Sequence, residues 1–136
     1  MTQIELIALA KEAAKHAYVP YSGYTVGAAL LTKEGKVYLG CNIENAGYTP
    51  TNCAERTAFF KAISEDERNF EAIAVVGGKN LDFSDYFPPC GVCRQVMSEF
   101  CDDNFRIILG KNDDEYLELT LPEILPYRFN SDYMET

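Results

Sequence analysis

The chain has 136 residues, 47% of them hydrophobic, which suits one domain spanning residues 1–136 around one core. A formal net charge of −9 excludes a surface built to hold a phosphate backbone, since that needs clustered Lys and Arg, and it favours small-molecule partners over nucleic acid. No apolar run approaches the ~20 residues that span a bilayer, and the N-terminus lacks a basic stretch before an apolar one, so a cytoplasmic protein without membrane contact is expected.

Leu6, Leu9, Ala10, Ala13 and Ala17 recur at helical spacing, with Glu5, Lys11, Glu12 and Lys15 on other faces, and predict a first helix stopped by Pro20. His16, the only histidine, falls near its end, where the helix dipole favours it. Residues 24–31 read as a buried strand, Glu34-Gly35 as a hairpin turn and residues 36–41 as the returning strand. Asn42-Ile43-Glu44-Asn45 then leaves the strand with side chains able to bond hydroxyl groups.

Cys53-Ala54-Glu55-Arg56 follows a turn-rich run and opens a second helix, with Ala54, Ala58, Phe59, Ala62 and Ile63 on its apolar face. Residues 72–76 suggest a central strand ended by a turn at Gly77-Gly78. Pro88-Pro89-Cys90-Gly91-Val92-Cys93 leads into a third helix, in which Cys93, Val96, Met97 and Phe100 face the core. Residues 105–109 and 116–119 are two further strands around Asn112-Asp113-Asp114, and Thr120 caps a short helix over 121–125. This alternation implies an α/β sandwich with a five-stranded mixed sheet, in which both cysteine-bearing helix starts converge at one sheet end.

A thiol at a helix start ionises readily, which makes Cys53 a plausible metal ligand. Cys90 and Cys93 have chelating spacing and can grip the same ion. Three protein ligands leave one tetrahedral position for water, the pattern of a catalytic zinc site, whereas a structural site would be closed by a fourth ligand, for which Cys41 and Cys101 are the candidates. A redox role for Cys90 and Cys93 leaves Cys53-Ala54-Glu55 unexplained. Three thiolates around Zn²⁺ leave a net negative site that opposes ionisation of the water; Arg56 is placed to offset this, and Glu55 to move the water's proton to a substrate nitrogen.

The chain resembles the small, single-domain cytidine deaminases that carry three cysteine zinc ligands. The resemblance rests on residues 20–29, on Asn42-Ile43-Glu44-Asn45-Ala46, on Cys53-Ala54-Glu55-Arg56 and on Pro89-Cys90-Gly91-Val92-Cys93-Arg94-Gln95. It implies a three-layer α-β-α sandwich and one zinc per chain, held by Cys53, Cys90 and Cys93. It implies further that zinc-bound hydroxide attacks C4 of cytidine or deoxycytidine with Glu55 as proton shuttle, giving uridine or deoxyuridine and ammonia in pyrimidine salvage. By the same resemblance Asn42 and Glu44 hold the ribose hydroxyls, Tyr24 stands where the family has Phe beside the pyrimidine, Ala54 and Ala46 line the substrate, and Arg56 tempers the charge of the zinc-ligand sulfurs. The family forms homotetramers with shared sites, to which Tyr48 and Phe129 would contribute across subunits; docking of Phe129 on its own core is the alternative. Other functions to weigh are deamination of a nucleoside-like antibiotic, deamination of a polynucleotide, and a non-enzymatic zinc scaffold.

Overall fold

A computed structural model describes residues 1–134 of the chain. Strands β1 (Tyr24–Thr32), β2 (Val37–Cys41), β3 (Phe70–Lys79), β4 (Arg106–Gly110) and β5 (Tyr116–Thr120) form one sheet in the order β2-β1-β3-β4-β5. The β3–β4 pair is parallel and the other three pairs are antiparallel, so the sheet is mixed as the element order implied. Helix α1 (Gln3–Ala14) covers one face, and α2 (Ala54–Ser64), α3 (Gly91–Phe100) and α4 (Leu121–Ile124) cover the other.

Two apolar clusters give the three layers. Val26, Ala28 and Leu30 of β1 pack with Ala54, Ala58 and Phe59 of α2 and with Met97 of α3. Their neighbours Ala29 and Leu31 point the other way, onto Leu6, Ile7, Ala10 and Ala14 of α1. Burial on both faces is why these strands read as continuous apolar runs instead of alternating ones. No helix is long and apolar enough to cross a membrane among the described residues.

The structure corrects two expectations. The first helix ends at Ala14, not at Pro20, and it buries Leu6, Ile7, Ala10, Ala13 and Ala14, while Leu9 and Ala17 are half-buried. Its last turn tightens: the N–H groups of Lys15, His16 and Ala17 each donate to the carbonyl three residues back. The chain then pairs Tyr18 with the segment after β2, through Tyr18 N–H to the Asn42 carbonyl at 3.0 Å and Glu44 N–H to the Tyr18 carbonyl at 2.8 Å. Gly77-Gly78 is likewise no turn, because β3 runs through both residues to Lys79. A Cβ on Gly77 would meet the Phe87 ring at 2.5 Å, and one on Gly78 would meet the Asp82 carbonyl at 1.7 Å. The glycines let the segment after β3 lie directly on the sheet as it runs toward Cys90.

Candidate active site

Two helix starts and one strand end build the site. Helix α2 packs so closely on β2 that a Cβ on Gly40 would lie 2.3 Å from the Ala54 carbonyl, which fixes the depth of Cys53 and Glu55. Between β2 and α2 the chain closes on itself, Ile43 and Asn52 exchanging both backbone hydrogen bonds at 2.9 Å, so Asn42 and Glu44 end beside Cys53. Cys53 is the N-cap of α2 and Cys90 the N-cap of α3. Arg94 anchors the second start, with Nε donating to the Pro89 carbonyl at 2.8 Å and a terminal nitrogen donating to the Ile124 carbonyl of α4 at 2.7 Å.

The sulfurs of Cys53, Cys90 and Cys93 all lie within 4.8 Å of one another, and Cys53 and Cys90 are 3.7 Å apart. Tetrahedral zinc with Zn–S bonds of ~2.3 Å sets its sulfurs about 3.8 Å apart, so the donor set fits Zn²⁺ in chemistry and spacing. Among the described residues Cys41 and Cys101 are outside this cluster, as is His16, which lines a separate hollow with Cys41. Closure of the site by Cys41 or Cys101 therefore has no support. Burial pushes the thiols of both cysteines up, Cys101 with the help of the Asp102 charge.

The cluster is primed for ionisation at one end. The Cys53 thiol is pushed down to about 5, chiefly by a hydrogen bond from Cys93, with Arg56 and Cys90 adding to the effect against the opposing cost of burial. Cys93 is pushed up in turn, because its proton serves Cys53 and because it is buried. An Arg56 terminal nitrogen donates to Cys53 Sγ at 3.3 Å. Burial works against the charge of Arg56, but the Cys53 and Cys93 sulfurs outweigh it and hold the guanidinium charged. Glu55 is 4% exposed, and burial pushes its carboxyl up to about 7, the range for a group that takes and returns protons near neutral pH.

A cavity of about 300 Å³ opens above the cluster, lined by Tyr24, Asn42, Glu44, Cys53, Ala54, Glu55 and Cys90 among others. That volume is at the small end of ligand pockets and suits one small molecule. The Asn42 amide is fixed by β1: its Oδ1 accepts from Val26 N–H at 3.0 Å and its Nδ2 donates to the Tyr24 carbonyl at 2.8 Å. Ala46 and Tyr48 line an adjoining hollow that shares Ser22, Glu44 and Thr51 with the first. Tyr48 is 94% exposed. Phe129 lies in neither hollow: the residue is 56% exposed and its ring stacks on Tyr133 at 5.5 Å, so it is not docked in its own core.

Sequence reasoning did not single out Phe87 and Ser22, which also line the main cavity. Phe87 stacks on Tyr24 with ring centroids 6.2 Å apart, and the pair forms one wall. An aromatic two residues before Pro89-Cys90 was a visible signal for Phe87, once the Cys90 segment was assigned to the site. Ser22 lies in the segment 20–29 that carries the resemblance, but nothing in that pattern assigned it a place in the cavity.

Comparison with known proteins agrees with this geometry. Residues 1–109 match the cytidine and deoxycytidylate deaminase zinc-binding region. A cytidine deaminase of Sporosarcina psychrophila is 48% identical over 128 residues, covering 94% of this chain and 91% of the relative. One from Halalkalibacterium halodurans is 51% identical over 129 residues, 95% of each. The crystal structure of cytidine deaminase from Burkholderia pseudomallei superposes with a TM-score of 0.87 at 44% identity, covering 95% of this chain and all of that one. The chain belongs to the cytidine and deoxycytidylate deaminase zinc-binding family.

Proposed function

We propose that the protein is a zinc-dependent cytidine deaminase, converting cytidine and deoxycytidine by hydrolysis to uridine and deoxyuridine with release of ammonia. The observation that carries this reading is the three-sulfur cluster with buried Glu55 beside it at the floor of a small cavity. Cys53, Cys90 and Cys93 would hold one Zn²⁺ per chain, which supplies Lewis acidity and makes water nucleophilic at neutral pH. Arg56 offsets the negative charge of the three thiolates. Glu55 accepts a proton from the attacking water and delivers it to the amino nitrogen leaving C4; burial keeps its carboxyl in the range where both transfers are easy.

Asn42 and Glu44 hold the ribose hydroxyls, a task matched to an amide and a carboxylate at the cavity edge. The Tyr24–Phe87 wall and Ala54 flank the pyrimidine. The reading extends to a single domain that assembles as a homotetramer in the cytoplasm and serves pyrimidine salvage, with Ala46 lining the substrate and Tyr48 and Phe129 completing a neighbour's site. Their exposure and their place outside or at the margin of the chain's own main cavity are what support that part.

The test is ultraviolet assay of cytidine conversion with zinc counted per chain, for the native protein and Glu55→Gln. We expect turnover with about one zinc per chain, and a Glu55→Gln protein that is folded, zinc-loaded and inactive. Turnover retained in Glu55→Gln would remove the proton shuttle, and zinc without cytidine turnover in the native protein would overturn the substrate.

A further inference from the structure

The turn before β1 holds Glu44 by three donors. Glu44 Oε1 accepts the backbone N–H groups of Tyr21 at 3.0 Å and Ser22 at 3.1 Å, and Oε2 accepts the Ser22 hydroxyl. Because an ionised carboxylate only accepts, the single hydroxyl hydrogen of Ser22 goes to Glu44, while Ser22 Oγ also accepts Tyr24 N–H at 3.0 Å. The Tyr24 carbonyl in turn accepts from Asn42, so the same few residues orient both side chains assigned to the ribose. Gly23 makes the turn possible, since its φ of +75° is a conformation that other residues adopt only with strain. With Oε1 filled twice and Oε2 once, Oε2 keeps an acceptor site for a substrate hydroxyl.

We infer that Ser22 is a positioning residue for ribose recognition, fixing the rotamer of Glu44 so that its free acceptor is already in place before a nucleoside binds. The inference rests on the reading of Glu44 as a ribose-holding residue. Preorganisation of this kind lowers the cost of binding and leaves the chemical step untouched, because Ser22 acts on a carboxylate remote in role from proton transfer at C4. Consistent with a fixed, ionised Glu44, the hydrogen bond from Ser22 holds its carboxyl below the usual range.

The experiment compares native protein with Ser22→Ala, Ser22→Thr and Glu44→Ala on two substrates, cytidine and 2′,3′-dideoxycytidine, the latter lacking both hydroxyls in question. Loss of one hydrogen bond to a charged group predicts that Ser22→Ala raises KM for cytidine by about tenfold with kcat within about twofold of native. It should leave kcat/KM for 2′,3′-dideoxycytidine within about twofold, and Ser22→Thr, which keeps the hydroxyl, should restore the KM. Equal losses on both substrates, a fall in kcat alone, or a native KM in Ser22→Ala would each overturn the inference. Glu44→Ala separates the two readings. If it spares cytidine, the assignment of Glu44 fails and the inference with it; if it selectively impairs cytidine while Ser22→Ala does not, Ser22 alone is wrong.

Discussion

Helices α1 and α4 begin in one way and α2 and α3 in another. At α1, Glu5 N–H donates to Thr2 Oγ1 at 3.1 Å and Thr2 N–H donates back to Glu5 Oε1 at 2.9 Å, a closed capping box. At α4 the Glu123 half of such a box is present, Oε1 accepting both the backbone N–H and the hydroxyl of Thr120. At α2 and α3 the cap position is a cysteine whose side chain makes no cap hydrogen bond. Each of the latter forgoes about 1 kcal/mol that a Ser, Thr or Asp cap contributes. The two uncapped starts are the ones that meet at the three-sulfur cluster, so the cap position that stabilises α1 and α4 serves metal binding in α2 and α3.

Cys53→Ser breaks the comparison most sharply, because it replaces a ligand with a favoured cap. We expect kcat/KM for cytidine to fall at least about a thousandfold, the equivalent of ~4 kcal/mol of lost metal-assisted catalysis. Without metal the same variant should be more stable than metal-free native protein by about 0.5–1 kcal/mol, since the hydroxyl can now cap α2. Urea unfolding of both proteins after chelation measures this; a less stable variant would mean that Cys53 already serves the helix. Metal removal from the native protein comes next. Zinc at ~1,000 times its dissociation constant adds about 4 kcal/mol of stability, so chelation should lower the thermal midpoint by more than about 10 °C. A midpoint unmoved by chelation would show that the two helix starts are held without the ion. Thr2→Ala lies on the other side of the comparison: it should cost about 1 kcal/mol in urea unfolding and leave kcat and KM for cytidine unchanged.

The contrast between helix starts also explains what the sequence disclosed. The Cys53, Cys90 and Cys93 cluster was legible because a metal site needs particular atoms at particular spacing. Phe59 and Met97 were legible through helical periodicity, and both are fully buried. The end of α1 was not, because Ala17 continues the apolar period while a tightened turn and the pairing of Tyr18 with Ile43 decide the boundary. Gly77-Gly78 misled for a related reason: glycine marks both turns and close approach, and only the position of Phe87 and Asp82 distinguishes them. The contact of Ser22 with Glu44 was not legible because the two residues are 22 apart along the chain.

The smallest effect expected concerns acid. The carboxyl of Glu5 is held below its ordinary value of 4.5 by the Thr2 backbone N–H and hydroxyl, and that of Glu123 by the Thr120 backbone and hydroxyl. A carboxyl whose value is lower in the folded state stabilises the fold above its unfolded value and loses that contribution as pH falls through the folded one. The boxes of α1 and α4 should therefore weaken as pH drops below about 4.5, whereas the cysteine starts of α2 and α3 carry no such cap to lose. Glu5→Gln with Glu123→Gln isolates this, because glutamine can keep the reach-back hydrogen bond but does not titrate. The double variant should lose less stability than the native protein between pH ~5 and ~3 in urea titrations. An acid slope as steep as native would mean that the lowered carboxyls at the two capped helix starts contribute nothing to the pH response, leaving it to exposed ion pairs such as Lys33–Asp102, where Lys33 holds the Asp102 carboxyl down.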